Sequence, residues 1–522
     1  MPVTWSSLAP GPIPTPTNSQ LAAALGAAIG ADVYAESLAV EGGAVVGLAR
    51  RDLQKSLLIA WPAGLRPAIA DLFTAPVRQV TLPVLGAMEV LEAPRAPETA
   101  AALRRALPWT APQLVAGRPS IGLGDRLGLA TPGHVLAVRG TGYVPMLAQQ
   151  SMREMTRTQR SAQQVIDDAT WGVFQTGFRT GFGADADHLK ATDAIGQCAA
   201  AGFLCYTIDP GDHVDNAADA ADEVLLETKF DGLPWTALET TPADTERRYA
   251  GLGVDLGGGH AIAFDAGILQ RAAVKYGRAV AHTAALYRHL VATLGRGRFE
   301  LEVSVDETDT PTSPAEHYYV AQELRRMGVG WVSLAPRFVG RFEKGVDYIG
   351  DLRTFEADIS VHAAIARHFG PYKLSLHSGS DQFSIYGIAA RHAQGEVHLK
   401  TAGTSYLEAL RVIARCEGSL FREILDFARY CYPADRATYN VSASIDRVPI
   451  ASVLADNLLP GMLDHFDTRE VLHVTFGSVL TEDGGRRFRG RLLGALQRHE
   501  EAYAEALRRH IGRHLAAFLK NV

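Results

Sequence analysis

Cysteine is scarce in this sequence, and the four cysteines that occur have no spacing typical of metal binding or redox chemistry. No two of them form a C-x-x-C pair, so neither a disulfide framework nor a thiolate zinc site is indicated. We expect these thiols to be reduced and structural. They are Cys198, Cys205, Cys416 and Cys431.

Long hydrophobic runs are also missing. No apolar run approaches the roughly 18 residues that a membrane-spanning helix needs. The first residues, "MPVTWSSLAPGPIPTPTNSQ", lack a basic segment followed by an apolar core. We therefore expect a cytoplasmic protein with no membrane partner.

The chain has no basic stripe either. Its net charge is −6, and Lys and Arg are mixed with Asp and Glu, so a nucleic-acid partner is not indicated. The glycine-rich pieces "GLGDRLG" and "GLGVDLGGG" miss the G-x-G-x-x-G spacing of a dinucleotide site. A small polar ligand without a nucleotide cofactor is the better expectation, and the sequence does not indicate an oligomeric state.

The N-terminal part of the chain differs in composition from the rest. Residues 1–20 are rich in Pro, Ser and Thr and predict an irregular arm. Residues 21–115 contain the candidate strands "AVVGLA" and "KSLLIAW" and the helical "APETAAALRRAL". We interpret them as a small α/β extension.

Residues 116–522 contain short apolar strands that alternate with helical segments. This alternation predicts a parallel sheet closed into a (β/α)8 barrel, with an open doubly wound sheet as the alternative. Long gaps near 213–295 and 418–465 predict inserted helices or loops, and helical spacing over 487–519 predicts a packed amphipathic helix. The eight candidate strands are "IGLGD", "TGFGADAD", "LCYTIDP", "FELEVSVDE", "GWVSLAPR", "KLSLHSGS", "EVHLKTAG" and "VLHVTFGS".

Catalytic groups of such a barrel lie at the C-terminal ends of its strands. The polar residues at the ends of the predicted strands are therefore the candidates for a site. They are Asp125, Arg126, Asp185, Asp187, His188, Asp209, Asp212, His213, Glu302, Asp306, Glu307, Arg337, His377, Ser378, Ser380, Asp381 and Lys400.

The strand "FELEVSVDE" allows a sharper prediction. Its Leu and Val residues alternate with Glu302 and Asp306, so these two carboxylates should face the barrel interior. A carboxylate there is costly to bury unless it meets a metal, a cation or a substrate hydroxyl. We expect at least one of the two to be functional, with a structural ion pair as the alternative.

Two histidines are candidate metal ligands. His377 ends a buried strand and precedes small hydroxyl residues, although a hydrogen-bonded core histidine would look the same. His188 follows Asp187, and its alternative is a loop histidine beside a helix that a neighbouring aspartate caps. The pair Asp212 and His213 competes for the same role.

Four segments together resemble one known family. "GFGADADHLK", "TIDPGDHVDN", "EVSVDETDTPTSPAEHYY" and "SLHSGSDQFSIYG" are similar to the tagaturonate/fructuronate epimerases, a family of sugar-acid epimerases with close variants that act on tagatose and fructose. The resemblance extends from about residue 115 to the end. It implies an isomerase of sugar-acid catabolism that interconverts two 2-keto hexuronates at C4.

The resemblance also implies roles for individual residues. Asp187 corresponds to the proton acceptor and Glu302 to the proton donor, while His188 and His377 correspond to ligands of a divalent metal. Glu343 in "VGRFEKGVDYIGD" is the expected third ligand, with Asp306 as its competitor. Such ligands suit zinc, manganese, nickel or cobalt and do not distinguish among them. The expected substrate-binding residues are Asp125, Arg126, Asp306, Ser378, Asp381 and Lys400.

The expected chemistry is a retro-aldol reaction, because C4 of a 2-ketose is β to the carbonyl and its C–H bond is not acidic. A base removes the C4 hydroxyl proton, the C3–C4 bond breaks, and the metal holds the enediolate. The aldehyde half rotates, the bond re-forms, and an acid returns the proton. A cation such as Arg126, Arg337 or Lys400 would hold the substrate carboxylate. The alternatives are a 4-epimerase of neutral ketoses, a metal-dependent aldolase or ketose isomerase, and a non-catalytic sugar-binding barrel.

Overall fold

A computed structural model of the chain describes residues 11–12, 15–83, 85–377, 380–401 and 403–519. An antiparallel sheet near the N-terminus is followed by a closed parallel barrel and then by a group of helices. Helix α1 (Thr15–Ile29) begins inside the predicted irregular arm, because a proline is tolerated in a first turn and the Ala- and Leu-rich text behind it favours a helix. Residues 1–10 and 13–14 of that arm lie outside the described residues.

The N-terminal sheet has seven strands in the order β1-β3-β4-β5-β7-β6, with β2 paired to β4. One face packs on α1, and the other packs on α2 (Pro97–Ala106) and on Trp171 and Phe174 of α5 (Ala162–Thr176). Apolar contact with α5 thus fixes the sheet to the barrel. The strands are β1 (Gly11–Pro12), β2 (Asp32–Val33), β3 (Ala39–Glu41), β4 (Ala44–Arg51), β5 (Gln54–Pro62), β6 (Val77–Leu82) and β7 (Gly86–Pro94).

The barrel is a closed ring of eight parallel strands, as predicted. The strands are short and buried, and their outward Val, Leu and Ile side chains join one large core with the surrounding helices. In order round the ring they are β8 (Ser120–Leu123), β9 (Val144–Ser151), β10 (Gly183–Leu189), β11 (Cys205–Ile208), β14 (Glu300–Val305), β15 (Ser333–Pro336), β16 (Lys373–Leu376) and β17 (Val397–Thr401).

One predicted strand was wrong and one strand was missed. "VLHVTFGS" forms parts of helices α15 (Phe466–Val474) and α16 (Phe476–Thr481). The missing strand is β9, "VPMLAQQS", whose residues are all buried. Neither segment exposes a polar face, so neither has the periodicity that separates strand from helix. "GFGADAD" is consequently on the third barrel strand, not the second.

Helices cover the barrel from outside, and several begin with a capping box. Ser151, Ser161 and Ser313 each accept a hydrogen bond from the backbone N–H three residues on, where a Glu or Gln returns the bond. The crossover helices, besides α5, are α3 (Thr131–Val138), α4 (Met152–Thr158), α6 (Thr192–Ala201), α10 (Pro314–Arg326), α11 (Leu352–His368) and α12 (Phe383–Ala393).

The long gap before β14 contains more than the predicted helices and loops. Its additional part is a two-stranded antiparallel hairpin, β12 (Gly253–Gly257) and β13 (His260–Ala263). The helices are α7 (Glu223–Asp231), α8 (Pro242–Tyr249) and α9 (Ala266–Leu294), and buried residues along α9 join the main core.

The chain after β17 is helical and has its own apolar core, which also contains Leu127 and Ala130 of the β8–α3 loop. The predicted tail helix is divided in two at His499. None of the helices in the described part of the chain combines the length and apolar character needed to cross a membrane. The helices are α13 (Thr404–Cys416), α14 (Gly418–Asp435), α15, α16, α17 (Arg489–Arg498) and α18 (Glu500–Leu519). Short 3₁₀ turns span Ala35–Ser37, Ala68–Leu72, Pro108–Thr110, Gly211–His213, Asn216–Ala220, Arg436–Thr438, Ile445–Arg447, Ala451–Val453, Asp456–Asp464 and Glu482–Gly485.

Candidate active site

A polar cleft of about 530 Å³ opens at the C-terminal ends of the barrel strands. This is where a barrel places its catalytic groups, and the cleft is lined mainly by charged and hydrogen-bonding side chains. Its charged and imidazole residues are Arg126, Arg153, Glu154, Asp187, His188, Asp306, Glu307, Asp309, Arg337, Arg341, Lys344, His377, Lys400 and His473.

Strand β10 turns two successive side chains toward this cleft. Alternation places Asp185 and Asp187 on the inner face and would turn His188 outward. The ladder to β11, however, shifts register between Ala186 and Leu189, and His188 has a left-handed φ of 53°. This irregularity re-aims the imidazole, so that Asp187 and His188 both line the cleft.

Lys400 on β17 connects the carboxylates below the cleft. Its Nζ lies 2.9 Å from Asp185, 2.7 Å from Asp187 and 2.7 Å from Glu302, and it donates to Thr207 at 2.6 Å. All of these side chains are buried. Burial lowers the pKa of Lys400, but the three carboxylates outweigh it and hold that pKa well above its usual range.

Each of the two predicted ligand histidines is held by a carboxylate at one ring nitrogen. Asp187 Oδ1 lies 2.8 Å from His188 Nδ1, and Glu302 Oε1 lies 2.6 Å from His377 Nε2. Metal-binding histidines usually have such a carboxylate partner, because it fixes the ring and its tautomer. The arrangement leaves His188 Nε2 and His377 Nδ1 as the nitrogens that can face a metal.

Asp306 completes a group with these histidines. Its Oδ1 lies 3.2 Å from His377 Nδ1, and ligand atoms of His188, Asp306 and His377 all lie within 4.8 Å of one another. Burial lowers the pKa of His377, but Asp306 and Glu302 outweigh it and raise that pKa to about 10. The site therefore favours positive charge, and two imidazoles with one carboxylate suit a divalent metal.

The predicted third ligand, Glu343, lies elsewhere. Its carboxylate accepts hydrogen bonds from Ser442 N at 2.9 Å and Ser442 Oγ at 2.6 Å. It also lies beside Glu470. Burial and the neighbouring Glu343 raise the pKa of Glu470 to about 8. Within the described residues, Glu343 belongs to no group of potential ligands. The structure thus brings its competitor, Asp306, to the histidines.

Glu302, the predicted proton donor, lies beneath the cleft and not among its lining residues. Its oxygens accept from Lys400, His377 and Ser333, the last at 2.6 Å. Burial raises the pKa of Glu302, but Lys400 and His377 hold it well below its usual range. A carboxylate that is this fully bonded and ionised is suited to positioning His377.

Two of the predicted substrate-binding residues have structural partners instead. Asp125 accepts hydrogen bonds at 2.7–3.0 Å from three backbone N–H groups of its own loop. Arg126 lines the cleft, but it is paired to Glu154 at 2.9 Å, and its guanidinium lies 3.6 Å from the ring centre of Phe476. These contacts explain their burial without a ligand.

Asp381 lies behind the cleft wall, in a cluster with the C-terminal helix. Arg469 Nη2 is 2.9 Å from its carboxylate and His510 Nε2 is 2.5 Å away, while its backbone N–H donates to His514 at 3.0 Å. Asp381, too, is therefore not placed to touch a substrate. Ser378 lies outside the described residues.

The competing pair Asp212 and His213 lies at the surface. Asp212 is paired to Lys190 at 2.8 Å, and His213 stacks on His282 at 4.0 Å. A nearer competitor is Asp209, which forms a second potential ligand group with His188 and Glu307. Burial raises the pKa of Asp209 to about 6.

Sequence reasoning missed several cleft residues, including Gln149, Ser151 and Arg153. Gln149 donates to Asp187 at 3.0 Å, and Ser151 begins helix α4. A signal was present, since "SMRE" is a capping box two residues after the apolar run "VPMLA". Recognising it would have placed a strand end, and hence a cleft edge, at residue 151.

A closed (β/α)8 barrel with ionisable side chains converging on a cleft at its strand ends defines the class of the protein, a barrel enzyme for a small polar substrate. Comparison with known proteins identifies the family. The sequence profile of the UxaE family, tagaturonate epimerase, matches residues 34–518. A tagaturonate/fructuronate epimerase from Thermotoga maritima is 44% identical over 413 residues, which cover 79% of this chain and 83% of the relative.

Solved structures support the same family. The native crystal structure of the fructuronate-tagaturonate epimerase UxaE from Cohnella laeviribosi matches with a TM-score of 0.87 and 37% identity, covering 94% of this chain and 96% of that one. A glycerol complex of the same enzyme matches with the same score and 36% identity, covering 96% and 99%. The chain belongs to the tagaturonate epimerase family, and it is an epimerase of the isomerase class.

Proposed function

We propose that this epimerase interconverts D-tagaturonate and D-fructuronate by inverting C4, with the help of a divalent metal. Family membership supports the substrate pair, since the Thermotoga maritima and Cohnella laeviribosi relatives carry these names. The group formed by His188, Asp306 and His377 at the cleft is the observation that supports the metal.

The three potential ligands fit a metal by residue type, and the two histidines are also held in place by neighbouring carboxylates, as metal-binding histidines usually are. Asp187 and Glu302 each hold one histidine from behind, and Lys400 holds both of these carboxylates in place. His188, His377 and Asp306 would bind the ion. When bound, a divalent cation would supply a Lewis acid that stabilises negative charge developing on substrate oxygens.

The reaction proposed is a retro-aldol cleavage followed by aldol addition. Loss of the C4 hydroxyl proton lets the electron pair on oxygen form a C4 aldehyde while the C3–C4 bond breaks. Its electrons go to C3 and are delocalised over C2 and C3 as an enediolate. Rotation of the aldehyde and addition of C3 to its other face restore the bond with inverted C4, and the alkoxide regains a proton.

Two carboxyl groups on opposite sides of His188 suit the proton transfers. Asp187 contacts Nδ1 at 2.8 Å, and Glu307 lies 3.7 Å from Nε2. Both line the cleft. Because the C4 oxygen changes sides during the reaction, a proton acceptor and a proton donor in different places are needed. We assign Asp187 as the acceptor and Glu307, in place of Glu302, as the donor.

The direct test is incubation of the purified protein with D-tagaturonate and separation of the products by chromatography. D-Fructuronate should form, a chelator should stop its formation, and a divalent metal should restore it. Accumulation of three-carbon fragments without fructuronate would instead indicate an aldolase. Failure of every divalent metal to support turnover of the sugar acid would contradict the proposal.

A further inference from the structure

Three arginines line the more exposed part of the cleft. They are Arg153, Arg337 and Arg341, and the same part also carries the exposed carboxylates of Glu307 and Asp309. A sugar acid has a ketone and hydroxyls at one end and a carboxylate at the other. The cleft thus offers a place for a carboxylate away from the reacting atoms.

Three of the six cations that line the cleft have carboxylates within ion-pair distance, and a fourth, Lys344, interacts electrostatically with Glu307 and Asp306. Lys400 is surrounded by three carboxylates, Arg126 pairs with Glu154 at 2.9 Å, and Arg341 lies 3.6 Å from Glu343. A substrate carboxylate would have to compete with these fixed negative groups. None of the three cations is therefore a good anchor for the substrate.

Arg337 is different. It directly follows strand β15, which lies between the strand leading to Asp306 and the strand leading to His377. Hydrogen bonds with Thr312 at 2.8 and 3.0 Å fix its backbone. The side chain is half-buried and lines the cleft, yet in the described part of the chain no carboxylate lies within 4.0 Å of its guanidinium.

We propose that Arg337 binds the C6 carboxylate of the substrate and thereby selects sugar acids over neutral ketoses; this rests on the function proposed above. A guanidinium can hold a carboxylate through two parallel hydrogen bonds. Cleavage of C3–C4 leaves C6 on the aldehyde fragment, the half that must rotate. Arg337 then also keeps this fragment in the cleft while its C4 carbonyl turns over.

Arg153 is the competing anchor. It lines the same cleft and has no ion pair among the described residues, but its side chain is exposed and lies 5.3 Å from the ring centre of Tyr439. Arg337 is favoured because it is more buried and has a fixed backbone, so less freedom is lost when it binds.

The test compares Arg337→Gln with Arg353→Gln in the full-length, metal-loaded enzyme. Arg353 is exposed at the start of α11 and controls for loss of one positive charge. For D-tagaturonate, R337Q should lower kcat/KM by about 100-fold, which corresponds to loss of a charged hydrogen-bonding pair. D-Tagatose, used as substrate or as competitive inhibitor, should bind as it does to the wild-type enzyme.

Retention of the fragments gives a second readout. With D-tagaturonate, R337Q should release three-carbon products that the wild-type enzyme does not release, and Arg337→Lys should fall between the two. An equal loss for tagaturonate and tagatose, an unchanged preference, or a selective loss in Arg153→Gln instead would overturn the assignment. Wild-type enzyme that does not convert tagaturonate would refute the proposed function itself, which separates the two failures.

Discussion

Two clusters of histidine and aspartate lie near the C-terminal ends of the barrel strands, and they have the same residue types. The cleft cluster is His188, Asp306 and His377, and the rear cluster is Asp381, His510 and His514. Both are compact enough to hold a metal. They differ in what surrounds them.

The side chains of the rear cluster are bonded mainly to one another and to nearby protein groups. His514 donates from Nδ1 to the His510 carbonyl and accepts the Asp381 backbone N–H at Nε2, each at 3.0 Å. Arg469 already neutralises Asp381 at 2.9 Å. The residues of the cleft cluster instead line the cavity, which those of the rear cluster do not. Ligand type alone therefore does not define a metal site, and access from the cavity distinguishes the two clusters.

The largest expected effect is the loss of the cleft cluster. His377→Ala should remove a metal-facing nitrogen and leave Glu302 without its imidazole partner. Loss of an orienting partner typically costs roughly 10- to 100-fold in metal affinity or activity, so loss of a ligand should cost more than about 100-fold. Metal content and tagaturonate turnover would be measured together.

The matched control for this change is His514→Ala. It removes a buried histidine from the rear cluster and should lower the melting temperature while the purified protein keeps its metal. If His514→Ala lost its metal and His377→Ala kept it, the assignment of the two clusters would be reversed.

A change in the rear cluster should act mainly on stability. Asp381→Asn leaves Arg469 buried without its anionic partner, and breaking a buried ion pair in this way typically costs about 3 kcal/mol. The expected result is a clear fall in melting temperature with unchanged metal content per folded molecule. Arg508→Gln, which breaks an exposed pair with Glu505, should have almost no effect. Equal falls in both variants would contradict this role.

The fold was predictable because most barrel strands end in glycine or polar residues before helical text. The exceptions were segments buried on every side. In β9, Gln149 and Gln150 are buried inside the barrel, so the strand looks polar at its end. In α15, His473 and Glu470 are buried among helices, so the helix looks like an alternating strand. A periodic pattern of apolar and polar residues arises when one face of an element is exposed to solvent. Neither segment has an exposed face.

The site was predictable as far as strand ends share one edge of a barrel. That rule brought His188, His377, Asp306 and Lys400 together. It did not reveal that Glu343 would bond to Ser442, because this contact depends on the helices after β17. Nor did it show that Arg126 is paired with a carboxylate, whereas Arg337 has none within 4.0 Å among the described residues.

A smaller effect is expected for the residue behind His377. Glu302→Gln keeps the shape but loses the charge that orients the imidazole, and we expect a loss of about 10- to 100-fold in metal affinity. Glu307→Gln should instead leave metal affinity nearly unchanged and lower kcat, because we assign Glu307 to proton transfer. Titration of metal-free protein and kinetics with saturating metal separate the two. The reverse pattern would restore Glu302 as the donor.

The smallest effect is a difference in proton release between the clusters. In the metal-free protein Asp306 and Glu302 raise the pKa of His377 to about 10 against burial, so the folded protein holds this proton at pH 8. Metal binding must release it, and apparent affinity should rise by about tenfold per pH unit below that pKa. Burial lowers the pKa of His514 to about 4, so His514 has no proton to lose there. Calorimetry in two buffers of different ionisation enthalpy should show at least one proton released, to the same extent, by wild-type protein and by His514→Gln. If no proton were released, His377 would be neutral in the free enzyme, and the carboxylates around it would not be the source of the site's preference for positive charge.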